Sequence, residues 1–509
     1  MKKHLSVKLA ALILALIMTA AIFVSCADKT PEPGPSDGTT APVTQGQQGE
    51  EATTTPETEA PKNEYGITII PDDLPEKLDL QKREFVVHTR GNVDQYEWTA
   101  EEENGETLND AIYRRNTRVE DRYNIDIVVK AEGTWQDYND NLKKVRASIE
   151  TNNAAYDLLA GYSTPASSLA TTGHILNLNN LEYINFSKPW WSDDFKDTFT
   201  IGDKTYFGIG SLSVAMIYSM ECIFVNTAIL KEVDENYNIY KTVDNREWTW
   251  DEMVRVGALA YDDENGNQIP DAGDRFGFAC CEHNNNPIFG FFLSTGTKTV
   301  VKGEDGLPVL NEDFTKMADV ADKLIRMLYT TNTNYAYDNG TALKFEDGKV
   351  LFYMHWLYYG QTKYAKVMDD YGIVPMPLFN EDQKEYCTPI QSGMHMYAIP
   401  RDVTDPNEDA MIVEALASES YHSLMPAYYE VVLKTRFVKD ADTSRMIDIM
   451  YNTTTFDLGQ SFNSSIKYID SFSTMVTTKR PAPVTMSNAY KTCKKNLESL
   501  ITKIMENQS

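Results

Sequence analysis

The chain has 509 residues, 42% of them hydrophobic, enough for two or three domains with cores of their own. Its formal net charge of −28 makes a surface that repels phosphate backbones and anionic lipid heads, which excludes nucleic-acid partners and argues against a strongly anionic ligand. After Cys26 come Cys222, Cys280, Cys281, Cys387 and Cys493, an odd set with two adjacent members; free, mostly buried thiols are expected, and no CxxC or clustered His/Cys spacing points to zinc.

The first segments in chain order are not part of a fold. Lys2, Lys3 and Lys8 accompany an uncharged apolar run, 9–24, and the small Ser25 precedes Cys26, the order of a secretory signal. Phe23-Val24-Ser25-Cys26 resembles a bacterial lipobox, with Phe where Leu is commoner. That resemblance implies a cleaved signal peptide over 1–25 and a Cys26 that carries lipid, such as palmitate, as the new N-terminus. Residues 26–63 hold the lipidated cysteine and a Pro/Thr/Glu/Gly tether with too few apolar residues to offset the entropy of ordering, so it is expected disordered. Lipid, tether and folded body describe a protein working just outside a cell membrane. Beyond Ile70 no apolar run is long enough to span a bilayer.

From residue 84 onward strands and helices alternate. Residues 84–89 (EFVVHT) read as a buried strand, 107–123 as a helix capped by Thr107, and 125–129 as an alternating strand. Tyr138, Leu142, Val145 and Ile149 sit at helical spacing, and 156–160 (YDLLA) is a short strand. This order is that of an α/β lobe with a largely parallel sheet, whose ligands bind beyond the carboxyl ends of the strands. Further strands are expected at 204–208, 222–226, 276–279, 350–355, 372–375 and 394–399, with helices from 227 and over 250–259, 314–328, 405–418 and 444–451.

By this point the chain resembles the lipid-anchored extracellular solute-binding proteins (family 1-like) of carbohydrate ABC importers in Gram-positive bacteria. The resemblance rests on LNDAIYRRNTRVEDRYNIDI (108–127), Pro189-Trp190-Trp191, IGDKTYFGIG (201–210), CIFVNTAIL (222–230), WTWDE (248–252), FEDGK (345–349) before VLFYMHW, YGIVPMP (371–377) and FDLG (456–459), all in order. It implies an α/β, two-lobe periplasmic-binding-protein-like fold of class II, each lobe a mixed sheet flanked by helices and joined by a hinge. Lobe one would be 64–182 plus 378–430, and lobe two 183–377 plus 431–505. It further implies a monomeric, non-enzymatic protein, membrane-anchored by its lipid, that captures a sugar between its lobes and hands it to ABC permease subunits.

A sugar site needs flat aromatic platforms ringed by polar groups. Position selects Trp356 and His355 after VLFYM, with Trp356 the aromatic that the family stacks on its ligand. Tyr162 and Ser163 follow the third strand, Arg90 and Asn92 the first, and His283 and Asn284 follow FGFACC. Ser392 and Gly393 lie near a crossover, and Trp190 and Trp191 complete the expected set of ligand contacts. No cofactor is required. In 263–274, Asp263, Asn265, Asn267, Asp271 and Asp274 occupy positions 1, 3, 5, 9 and 12 of a twelve-residue oxygen-ligand loop, with the Ile269 carbonyl at position 7, a pattern suited to structural Ca²⁺. Gln268 stands where such a loop has Gly, and Asp274 where it has Glu.

Two other function classes stand beside this one: a surface ligand sensor or peptide-binding protein on the same scaffold, and an extracellular glycosidase, which needs two carboxylates across a cleft. No GxSxG, HExxH or phosphate-loop motif is present.

Overall fold

The computed structural model describes residues 61–507 apart from 92–93, 135–136, 213, 282–285, 330–333, 338–344, 368–370, 392, 430–432, 434–440 and 481. Residues 1–60, which include the expected leader, Cys26 and most of the expected tether, lie outside the described residues, as do Asn92, His283, Asn284 and Ser392. Residues 61–71 form a turn of their own, in which Lys62 bridges Thr68 and the Asn63 side chain accepts from Tyr65 N and Ile67 N at 3.0 Å.

A second compact unit begins at Asp72. Its strands are β1 Arg83–Thr89, β2 Ile125–Ala131, β3 Leu158–Tyr162, β4 Glu221–Asn226, β5 Phe276–Cys281, β6 Val300–Lys302, β7 Pro308–Leu310, β8 Asn334–Tyr337, β9 Val350–Trp356, β10 Tyr371–Pro375, β11 Thr388–Pro389, β12 His395–Ala398 and β13 Thr454–Thr455. One sheet runs β12-β3-β1-β2, the other β10-β4-β9-β5-β8. In the first, β1 is parallel to both β2 and β3, and β12 adds antiparallel with His395 opposite Tyr162. In the second, β5 is parallel to β8 and β9, while β4 runs against β9 and β10. Phe85, Val86, Val87 and the whole of β4 are buried, as strands covered by helices on both faces must be.

The local signals mostly hold, with physical reasons where they do not. The helix Thr107–Tyr123 buries Ala111, Ile112, Val119 and Tyr123, but its cap is Glu106, whose carboxylate accepts from Asn109 N at 2.8 Å, and not Thr107. Asp110 is drawn back to Asn104 N at 2.9 Å. Residues 204–208 form no strand: Thr205 N donates to the Asn177 side chain (2.9 Å) and Thr205 O accepts from Leu178 N (2.7 Å), so a loop takes the backbone groups a strand would need. Cys222 and Cys493 are free and buried, Cys387 is free and half-buried, and Cys280 is buried. No helix among the described residues is long and apolar enough to cross a membrane.

The crossovers sit later than the sequence suggests. Segment 183–214 touches both sides: Trp190 and Trp191 hydrogen-bond Glu414, Gly208 bridges Tyr397 and Arg115 Nη1 donates to Leu212 O at 3.2 Å, while Asp194 pairs with Lys298 and accepts from Phe456 N, each at 3.2 Å. The chain then passes to the second sheet at Ser219–Met220, which pairs with the returning Ile390 and Gln391. Leu378, expected in lobe one, is still clamped in lobe two between Trp248 O and Trp250 N. The lobes also meet away from these crossovers. Ser167 Oγ donates to Ser461 O at 2.8 Å, and Asn507, at the end of the helix Ala482–Glu506, donates to Ala170 O at 2.5 Å.

Candidate functional site

Strand β9 is buried from Val350 to Met354, and its last two residues, His355 and Trp356, emerge half-buried. The chain turns at once into Leu357–Tyr359 and then a wide π-helical turn, Gly360–Tyr364, a distortion frequent at functional sites. This winding gathers an aromatic group. His355 stacks on Tyr359 with centroids 3.5 Å apart, and Trp356 stands edge-on to both at 5.5 and 6.3 Å. His355 Nδ1 accepts from Trp356 N at 2.8 Å, which leaves the proton on Nε2. Burial, helped by Lys363, pushes its pKa down to about 3, so the ring is a neutral donor.

Lobe one supplies the facing groups. The loop after β1 is held by the helix Thr107–Tyr123: fully buried Arg115 donates to Glu97 O at 3.1 Å, and Asn116 donates to Trp98 O at 2.7 Å. So anchored, the buried Glu97 carboxylate accepts from Tyr218 O–H at 2.5 Å. Tyr218 ends the turn just before the crossover, and its ring meets Tyr358 of lobe two at 5.6 Å and His395 of lobe one at 6.4 Å. Glu221, the first residue of β4, lies opposite Trp356 in the ladder. Burial alone raises its carboxyl well above the usual range.

The parallel register of β1 and β3 brings several expected residues to one edge. Arg90 follows β1 half-buried, Tyr162 ends β3, and Ser163, fully buried, starts the helix Ser163–Thr171 with its N–H on Met394 O at 3.1 Å. Gly393 donates its N–H to the Gln391 side chain next to the returning crossover. Trp190 and Trp191 are not at this edge and are corrected to interior residues. They are 0% and 5% exposed, and their indole N–H groups are held by the two oxygens of Glu414 at 2.8 and 2.9 Å. Glu97, Tyr218, Glu221, Tyr358 and Tyr359 were not expected. Tyr358-Tyr359 follows VLFYMHW after the single Leu357 and could have been found; Glu221 reads as an ordinary start of a strand.

The 263–274 loop is described throughout. Asp263 accepts from Asn267 N and Gln268 N at 3.2 and 2.8 Å, and Gln268 takes the left-handed φ of +63° that the Gly of an EF-type loop supplies. Asp274 is fully buried, and its Oδ2 accepts from Asp271 N at 3.1 Å. The donor chemistry suits Ca²⁺. The arrangement is that of a turn, however: Asn265 and Asn267 direct their amide nitrogens, not their oxygens, at Asp271 (2.9 and 2.7 Å). Among the described residues no three His, Cys, Asp or Glu side chains are grouped as a metal set.

No protein-family model and no curated protein sequence matches the chain. Solved structures do. The cyclic α-maltosyl-1,6-maltose binding protein of Arthrobacter globiformis aligns with a TM-score of 0.55 at 13% identity, covering 82% of this chain and 99% of that one. The galacto-N-biose/lacto-N-biose I-binding protein of a Bifidobacterium longum ABC transporter gives 0.54 at 15% identity, with 82% and 98% covered. An ABC substrate-binding protein from Listeria monocytogenes, in complex with cycloalternan, gives 0.52 at 12% identity, with 82% and 99% covered. The chain therefore has the two-lobe periplasmic-binding-protein-like fold, a mixed α/β sheet in each lobe.

Proposed function

We propose that this protein captures a sugar or oligosaccharide between its lobes and delivers it to the permease of an ABC importer, working as a lipid-anchored monomer on the outer face of the cell membrane. The observation that carries this reading is the half-buried aromatic group at the end of β9, faced across the hinge by Tyr218 and the Glu97 carboxylate. Ring faces for C–H surfaces and a few fixed polar groups for hydroxyls are what a saccharide requires. Sugar touching both lobes favours the closed state by its differential affinity, and docking of that state on the permease needs no catalytic group here. The similarity to sugar-binding proteins of ABC transporters supports the same reading.

Trp356→Ala is expected to weaken the sugar affinity at least about tenfold, the loss of one stacking platform, with little change in the melting temperature of the ligand-free protein. Isothermal titration of wild type and variant decides it, and equal affinities would remove Trp356 from the site.

The 263–274 loop is proposed as a structural Ca²⁺ site in lobe two. Asp263, Asp271 and Asp274 would hold the ion, with Asn265 and Asn267 turning their amide oxygens inward and Ile269 giving its carbonyl. A hard cation there would tie the loop ends together. Millimolar Ca²⁺ is expected to raise the melting temperature of the wild type and not of Asp271→Ala, because an ion that binds only the native state stabilises it by mass action. A thermal scan with Ca²⁺ and with chelator, identical in both proteins, would reduce the loop to a turn.

A further inference from the structure

Glu221 stands where an apolar residue would satisfy the fold. It opens β4 one residue beyond Met220, which bridges Ile390 of the returning crossover and whose carbonyl accepts from Leu357 N at 2.9 Å. Its side chain is 1% exposed, and Oε2 has no hydrogen-bond partner among the described residues. Burial raises its carboxyl well above the usual range and so favours the neutral form. The packing leaves room for it: Gly290, inside the helix Asn286–Ser294, is the point where a Cβ would stand 1.8 Å from Oε2 and 2.3 Å from Met354 Cε. Leucine would fill the same space without dehydrating a carboxyl. Directly across the ladder, at the roughly 5 Å separating facing Cβ atoms, is Trp356, half-buried at the mouth between the lobes.

We propose that Glu221 is a specificity-determining residue of the cleft, its carboxyl hydrogen-bonding a hydroxyl of the sugar ring that lies against Trp356; the assignment rests on the sugar-binding reading above. A neutral carboxyl both donates and accepts, which matches a hydroxyl in either sense. A sugar lacking that hydroxyl leaves a buried polar group unpaired and is rejected more strongly than one that merely loses apolar contact.

The test starts with the wild-type full chain on an array of neutral mono- and oligosaccharides. The strongest binder is then titrated calorimetrically into wild type, Glu221→Gln and Glu221→Leu. Glu221→Gln, which keeps a donor and an acceptor, is expected to retain most of the affinity. Glu221→Leu is expected to bind at least about tenfold more weakly while its ligand-free form melts at or above the wild-type temperature. A leucine variant that binds like wild type overturns the assignment, as does one that melts well below wild type, since the carboxyl would then serve the fold. A glutamine variant as weak as leucine overturns it too. These results leave the sugar reading standing; a wild type that binds no glycan on the array removes that reading and this assignment together.

Discussion

Arg115→Ala is expected to lower the stability of the folded unit by about 4 kcal/mol and to weaken ligand binding as a consequence. The guanidinium is fully buried, and it donates to Leu212 O (3.2 Å), Glu97 O (3.1 Å) and Asn116 Oδ1 (2.8 and 3.0 Å), with its Cζ 5.2 Å from the centroid of the Trp98 ring. Burial pulls its pKa down to about 10, partly countered by Tyr397 and Glu97, so it remains a cation at neutral pH. Truncation leaves three acceptors buried without donors and a cavity beside Trp98, each of which is destabilising. It also frees the 97–98 loop, and with it the Glu97 carboxylate that Tyr218 touches. Arg115→Lys is expected to recover only part of the loss, because an ammonium cannot reproduce the planar fork that reaches two loops and a side chain at once. Urea denaturation of the three proteins measures this, and an alanine variant with the wild-type midpoint would show that the fork does not hold the loop.

The second large effect is a dependence of stability on pH centred on Glu414. Its carboxyl is buried in the helix Pro406–Glu419, which pushes its pKa up to about 7 against the opposing pull of the Trp191 and Trp190 indoles and of Asn185 N. The unfolded chain releases this proton near the ordinary glutamate value, and the folded chain keeps it until about pH 7. Between those limits the native state binds the extra proton, so stability falls as pH rises and levels off above about 7. The drop amounts to about 3 kcal/mol across the window. Other groups titrate in the same range, so the quantity to compare is the difference between wild type and Glu414→Gln. The variant, unable to titrate, is expected to have the flatter profile of melting temperature from pH 5 to 7.5. Parallel profiles would mean that the two indoles already keep the carboxylate ionised.

The elements legible in the sequence were those whose pattern is set by neighbours along the chain. The 107–123 and 314–329 helices and β1, β4, β9 and β10 came within a residue or two, because their buried positions repeat at helical or strand spacing. The helix Ala482–Glu506 was not read. It buries Met486, Cys493, Leu497, Leu500 and Ile504 but leaves Val484 and Met505 exposed among its polar residues, and nothing local says what covers it. The site divides in the same way. Trp356 and His355 could be placed at a strand end because they close a strand that is apolar before them. Trp190 and Trp191 were misread because the carboxylate that holds them, Glu414, lies more than two hundred residues away. Glu97 and Tyr218 meet only because the chain crosses between the lobes beside them, a juxtaposition no spacing encodes.

The order of the first sheet has a consequence for how the chain is made. Strand β3 is completed when residue 162 leaves the ribosome, yet one of its edges stays open until β12, residues 395–398, has been synthesised. The whole β4–β10 stretch of the second sheet is produced in between. Such distant pairing slows folding and leaves an unpaired edge exposed to other chains meanwhile.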